Sequence, residues 1–215
     1  MLTAPAITCL FLDIGGVLLT DGWDRHARKR AAADFGLELA EMEDRHQLTW
    51  NTHQAGKLTL EEYLAWVVFY QKRPFTQAQF QRFMFAQSKP YPEMIDLITQ
   101  LKARHRLKIA VVSNEGRELS EYRIRKFKLN ELVDFFVSSC FVGLLKPDAD
   151  IFHLALDIAQ TPATQVVYIE NTPMFVQLAA DLGIRGVLHT DCETTRAKLT
   201  AFGLQDGDRV VHENR

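Results

Sequence analysis

Ile7-Thr8-Cys9-Leu10-Phe11-Leu12-Asp13-Ile14-Gly15-Gly16-Val17 is the stretch on which the fold turns. Its first half has the length and β-branched content of a strand buried in a parallel sheet. Asp13 closes the strand and a glycine turn follows. In open α/β sheets ligands gather beyond the carboxyl ends of the strands, so Asp13 is expected where a ligand would sit. Gly15 and Gly16 let the backbone approach that ligand and offer N–H groups to an anion, and a lone carboxylate there is a nucleophile toward a phosphoryl or alkyl centre. On this segment alone, an Asp that caps a turn explains the same residues.

Beyond Val17-Leu18-Leu19 the pattern turns helical for about seventy residues. Trp23 to Phe35 reads as a basic amphipathic helix ended by Gly36, and Ala40 to Ala55 as a second ended by Gly56. Thr59-Leu60-Glu61-Glu62 is a capping box opening a helix through Tyr70, and Thr76 begins a fourth that carries Phe80, Phe83 and Phe85. Short loops make these antiparallel neighbours in a small four-helix bundle. The prolines of Lys89-Pro90-Tyr91-Pro92 end the insertion, giving a cap of residues 19–89 on a core of residues 1–18 and 90–215.

From there helices and strands alternate: helix Glu93 to His105, strand Lys108 to Val112, helix Arg117 to Phe127, strand Phe135 to Ser138, helix Ile151 to Ala159, strand Val166 to Ile169, helix Met174 to Leu182, strand Gly186 to Leu188, and a last helix near Glu193 to Phe202. Strands separated by helices of this length need crossovers, so the expected class is α/β, a Rossmann-like three-layer core with a mostly parallel sheet.

Composition narrows the partners. The 215 residues are 47% hydrophobic with a formal charge of -2, which leaves no basic footprint for nucleic acid. A small molecule or protein is expected instead, with oligomeric state left open. Cys9, Cys140 and Cys192 are widely spaced in apolar surroundings, indicating neither a disulfide framework nor a metal cluster and fitting a reducing, cytoplasmic compartment. The N-terminal apolar run lacks a basic leader, and no stretch approaches the ~18 apolar residues needed to span a bilayer, so neither secretion nor membrane insertion is expected.

Four polar sites punctuate the alternation: Asp13, Ser113-Asn114 after Ile109-Ala110-Val111-Val112, Lys146-Pro147 after Gly143-Leu144-Leu145, and Glu170-Asn171 after Val166-Val167-Tyr168-Ile169. An attacking oxygen, hydroxyl and N–H donors, and a cation are what phosphoryl transfer requires. Taken singly, Ser113 could cap a helix, Lys146 could be a solvated loop cation, and Glu170 could face a helix N-terminus.

From Thr8 to about Leu204 the order and context of Phe11-Leu12-Asp13-Ile14-Gly15-Gly16-Val17-Leu18, Val112-Ser113-Asn114, Gly143-Leu144-Leu145-Lys146-Pro147-Asp148 and Tyr168-Ile169-Glu170-Asn171 resemble the haloacid dehalogenase superfamily. The Gly-Gly-Val-Leu form is most similar to the branch containing α-D-glucose-1-phosphate phosphatases. The resemblance implies attack by Asp13 on a small phosphorylated metabolite to give an aspartyl-phosphate. It implies that Ser113, Asn114, Gly15 and Lys146 hold the phosphoryl group, and that a weakly bound Mg²⁺ lies on Asp13, the Gly15 carbonyl, Glu170 and Asn171.

Two positions depart from the family pattern. The second Asp, which protonates the leaving group, is Gly15 here, and the late acidic pair is Glu170-Asn171. The first loss predicts a slow phosphatase or an acid borrowed from the cap, with His26, His46 and His53 as candidates against the plainer reading of surface histidines. The second predicts weak metal binding. Both keep open a catalytically impaired protein that binds a phosphorylated ligand or protein, and a metal-independent 2-haloacid dehalogenase. In the cap, Trp50, Trp66, Phe69 and Tyr70 are expected in the bundle core, with Arg25, His26, Arg28, Lys29 and Arg30 toward water; alternatively, part of that basic helix overhangs Asp13 and holds an anion.

Overall fold

A computed structural model describes residues 5–206; the outermost residues assigned to the core, 1–4 and 207–215, lie outside the described residues. Five parallel strands, β1 (Cys9–Leu12), β2 (Lys108–Ser113), β3 (Phe135–Ser138), β4 (Val166–Glu170) and β5 (Arg185–Leu188), form one sheet in the order β3-β2-β1-β4-β5. The strand pleat explains why it is buried on both faces. Leu10 and Leu12 join Ile109, Val111, Val167 and Ile169 on one side, whereas Cys9 and Phe11 join Ala110, Val112 and Tyr168 on the other.

Each face is covered by helices. Met94, Leu97, Ile98 and Leu101 of the Pro92–His105 helix and Leu199 of the Cys192–Ala201 helix close the first; Ile151, Phe152 and Ala155 of Asp150–Ala159 and Ala179 of Pro173–Asp181 close the second. Strand boundaries follow the expected pattern to within a residue, except that β1 starts at Cys9, two residues after the expected Ile7. Single-turn helices at Leu129–Leu132 and Ser139–Val142 were absent from it, since four residues are too few to show a helical period.

The cap consists of α1 (Arg25–Phe35), α2 (Leu39–Gln54), α3 (Leu60–Val67) and α4 (Gln77–Ala86). Gly36 ends α1 in the left-handed conformation, φ 62°, its N–H bonded to the Ala32 carbonyl. Thr59 and Glu62 form the reciprocal capping box that opens α3, and Thr76 with Gln79 forms another at α4. The third helix stops at Val67, short of the expected Tyr70.

The cap interior gathers Trp23, Ala27, Ala31, Met42, Tyr63, Leu64, Phe80 and Met84. Trp66 is a correction: it is 61% exposed on the outer surface, and Tyr70 is half-buried under Arg45, whose guanidinium lies 3.6 Å from the ring centroid. Arg28 is the opposite correction. It is buried, paired through Nε and Nη2 with Glu43 at 2.9 Å each, and bonded to the Trp23 carbonyl.

The two connections between cap and core run side by side, with Thr20 N donating to the Lys89 carbonyl and Tyr91 N to the Leu18 carbonyl, both at 2.9 Å. The fully buried Arg123 fastens them to the core, donating to the carbonyls of Thr20 and Asp21 and to Ser88 Oγ, while its Nη1 pairs with Glu115.

Candidate active site

Strand register brings the polar residues together. Leu12 lies opposite Val111 on one side and Ile169 on the other, so the next positions along β1, β2 and β4 meet at one end of the sheet. There Lys146, buried, donates to Asp13 Oδ1 at 3.0 Å, Tyr168 Oη at 2.7 Å and Glu170 Oε2 at 2.6 Å, using all three ammonium hydrogens. Tyr168 Oη also donates to Glu170 Oε2 at 2.5 Å, and Glu170 Oε1 accepts the Thr172 N–H at 2.8 Å.

Burial is the main cause of a raised Asp13 pKa, about 7; the nearby Glu170 charge adds to it, while the Lys146 cation and the Ser113 hydroxyl oppose it. Burial alone would lower Lys146, but Asp13 and Glu170 outweigh it and hold its pKa above the ordinary value. Tyr168 stays a phenol, pushed well up by burial and by the two carboxylates. The result is a buried carboxyl group whose pKa is raised toward neutrality beside a lysine held cationic.

Ser113 ends β2, buried against Asp13. The Asn114 side chain has another use than the expected one. Its Nδ2 donates to the Lys146 carbonyl at 2.8 Å and its Oδ1 accepts the Lys146 N–H at 2.9 Å, so it positions the lysine loop instead of reaching for a phosphate. Asn171 donates from Nδ2 toward Asp21 Oδ1 at 3.5 Å. Gly16 has to be glycine: its φ is 71°, and a Cβ there would lie 1.9 Å from Asn171 Nδ2.

Asp21 is the residue that sequence reasoning missed. A Cβ placed on Gly15 would stand 3.2 Å from Asp21 Oδ1, so a carboxylate from the cap connection occupies space beside the position where the family's second Asp projects. Its pKa is raised, by burial first and then by the Asp24 charge. Tyr168 was equally unmarked, although a tyrosine two residues before Glu170 points to the same face and could have signalled a polar contact.

The expected histidine acids are corrected. Burial leaves His46 with a pKa of about 3, hence neutral, its Nδ1 2.7 Å from Tyr63 Oη. His53 is buried with Nδ1 3.0 Å from the Leu58 carbonyl and is also lowered, so neither is a surface residue or a ready acid. His26 is exposed on α1. A cavity of about 190 Å³ opens over Asp13 between core and cap, and Asp21, Asp24, Trp50, Gln54 and Glu115 are among its lining residues. None of the α1 basic residues lines it, which removes the overhanging basic helix.

For a hard cation the donor set fits loosely. Asp13, Asp21, Glu170 and Asn171 border one cavity, consistent with the one or two carboxylates plus waters and phosphate oxygens that suit magnesium. No group of three or more His, Cys, Asp or Glu that could cage a metal occurs among the described residues.

A three-layer α/β core, a helical insertion after the first strand and an Asp–Lys–Glu cluster at the strand ends define a capped hydrolase of the haloacid dehalogenase type. The family model for haloacid dehalogenase-like hydrolases matches residues 7–183, and the chain belongs to that family. It is 38% identical over 77 residues to haloacid dehalogenase-like hydrolase domain-containing protein 3 of Xenopus laevis, covering 36% of this chain and 30% of that protein. Matches to three curated relatives span 11% to 30% of their lengths.

In structure it is similar to a HAD family enzyme of Bacteroides thetaiotaomicron in complex with magnesium and inorganic phosphate, at TM-score 0.70 and 18% identity, over 86% of this chain and 95% of that one. The L-2-haloacid dehalogenase of Xanthobacter autotrophicus gives TM-score 0.61 at 17% identity, over 91% and 83%. Among the described residues no helix is long and apolar enough to cross a membrane.

Proposed function

We propose that this chain is a phosphomonoester hydrolase acting on a small phosphorylated metabolite, with no nucleic acid or membrane partner, in a reducing, cytoplasmic compartment. The observation that carries the reading is Asp13: a buried carboxylate with a pKa of about 7, bonded to Lys146 and Ser113 and opening on the cap–core cavity. Asp13 Oδ attacks phosphorus and the bond from phosphorus to the leaving oxygen breaks, giving an aspartyl-phosphate and an alcohol. Water then attacks the phosphoryl group and restores Asp13.

Lys146 and Ser113 would take phosphoryl oxygens, with Lys146 exchanging a carboxylate partner for the substrate. Asn114 keeps that lysine in register. Asp21 is the carboxyl group beside Gly15 from which the leaving oxygen would take its proton. Magnesium, held by Asp13, Asn171, Glu170 and the Gly15 carbonyl, would offset repulsion between nucleophile and phosphate.

The test is phosphate release from sugar phosphates, nucleotides and p-nitrophenyl phosphate, with and without millimolar Mg²⁺, using Asp13→Asn as control. Release that requires both Asp13 and Mg²⁺ supports the reading. Metal-independent halide release from 2-chloropropionate would replace it with dehalogenation, the reading that the Xanthobacter neighbour favours. Neither activity would leave a binding protein.

A further inference from the structure

On the buried side of the Asp13 cluster a neutral hydroxyl stands between two charges. Tyr168 is fully buried on β4, and its Oη accepts from Lys146 Nζ at 2.7 Å while donating to Glu170 Oε2 at 2.5 Å. Lys146 Nζ itself reaches Glu170 Oε2 at 2.6 Å, so the three atoms close a triangle. The ring is held by Phe152, edge to face with 5.0 Å between centroids. For packing alone phenylalanine would serve, and it would avoid the cost of burying a hydroxyl. What the hydroxyl adds is its place between the ammonium and the carboxylate.

An ammonium offers three N–H groups in fixed relation to one another. Tyr168 and Glu170 take two of them away from solvent. The third goes to Asp13, whose side chain is 12% exposed against 1% for Glu170 and which borders the cavity. An anion arriving over Asp13 can therefore claim that N–H while the other two stay bonded. Without the hydroxyl, Glu170 would be the one acceptor left on the buried side, and the ammonium could swing about it.

We propose that Tyr168 is a positioning residue: its hydroxyl, bonded to Lys146 and Glu170, aims the remaining lysine N–H at the phosphoryl group over Asp13. Asn114 fixes the backbone of Lys146, and Tyr168 fixes its tip. The inference rests on the phosphatase reading and adds to it a residue that acts through the lysine.

Tyr168→Phe removes the hydroxyl and keeps the ring; Glu170 retains Lys146 and the Thr172 N–H, so the fold should stand. Inorganic phosphate, titrated by calorimetry in millimolar Mg²⁺, reads the aim without turnover. Its dissociation constant should rise about fivefold in Tyr168→Phe, less than a lost direct bond to the anion would cost, because the hydroxyl acts at one remove. The value of kcat/KM for p-nitrophenyl phosphate should fall at least as far. Lys146→Met should weaken phosphate further, and adding Tyr168→Phe to it should cost less than about twofold, since an effect passed through the lysine vanishes with it. Unchanged affinity in Tyr168→Phe, or the same loss with and without Lys146, would overturn the proposal.

Lys146→Met leaves two buried carboxylates without their cation. If it does not fold, 3-fluorotyrosine at position 168 decides. With the hydroxyl kept, phosphate affinity should stay close to wild type; a loss as large as that of Tyr168→Phe would assign the effect to ring packing and overturn the proposal. Phosphate bound with the expected ratios while no ester is hydrolysed would sink the phosphatase reading alone. No phosphate binding by the wild-type protein would overturn the aiming role, whatever the esters do.

Discussion

Asp13→Asn should abolish turnover and make the protein more stable at alkaline pH. In the folded protein the Asp13 pKa rises from 3.8 to about 7, mainly through burial. Because the folded state holds this proton more tightly than the unfolded chain, Asp13 contributes no penalty below about pH 4. Between about pH 4 and 7 the unfolded chain releases the proton and the folded protein retains it, so stability falls; above about 7 the penalty is complete. About three powers of ten in the protonation equilibrium, at about 1.4 kcal/mol each, set a ceiling of ~4 kcal/mol.

Asparagine keeps the shape and removes the charge. It also deprives Lys146 of one of three partners, which offsets part of the gain, and a net ~1–3 kcal/mol remains. For a chain of this size that is a rise of roughly 3–10 °C in Tm. Thermal unfolding of wild type and Asp13→Asn should be followed by circular dichroism from pH 4.5 to 8.5, with a chelator present so that no divalent ion stabilises the ionised carboxylate. The gap should open as pH rises through 5 and 6 and level off above 7. A variant less stable than wild type at pH 8, or a gap of the same size at both ends, would refute the burial argument.

Asp21→Asn should lower kcat by about 10²-fold or more on alkyl phosphates and much less on p-nitrophenyl phosphate, whose leaving group needs no proton; equal losses on both would remove Asp21 from proton transfer. Restoring the family residue by Gly15→Asp should fail to raise activity, because the new Cβ meets Asp21 Oδ1 at 3.2 Å, whereas Gly15→Asp with Asp21→Gly should exceed the single variant; the kcat values of the pair decide. Gly116→Ala would put a Cβ 2.1 Å from His53 Nε2, where cap meets core. Its urea midpoint should fall by an amount equivalent to ~1–3 kcal/mol, and His53→Ala in the same chain should recover part of that loss.

The difference between what the chain declares and what it conceals follows the range of the interactions. Cys9-Leu10-Phe11-Leu12 announces a strand because a pleat sends Leu10 and Leu12 to one layer and Cys9 and Phe11 to the other, and both layers are apolar. Capping at Thr59 is equally local, a matter of three residues. Asp13, Ser113, Lys146 and Glu170 were legible as a set since each ends or follows a strand or sits in a connecting loop; parallel register carries Asp13, Ser113 and Glu170 to one end of the sheet, and Asn114 holds the Lys146 loop beside them.

Asp21 had no such marker. Its place beside Gly15 depends on Arg123, 102 residues away, drawing the Thr20 and Asp21 carbonyls inward, and no local period encodes that distance. Burial of His46 and Arg28 likewise depends on partners, Tyr63 and Glu43, presented by other cap helices. A missing acid in a motif therefore does not by itself mean missing chemistry: once the connection folds back, position 15 gains a carboxylate through space that it lacks along the chain. The carboxylate beside Gly15 is thus tied to how Arg123 holds the cap connection.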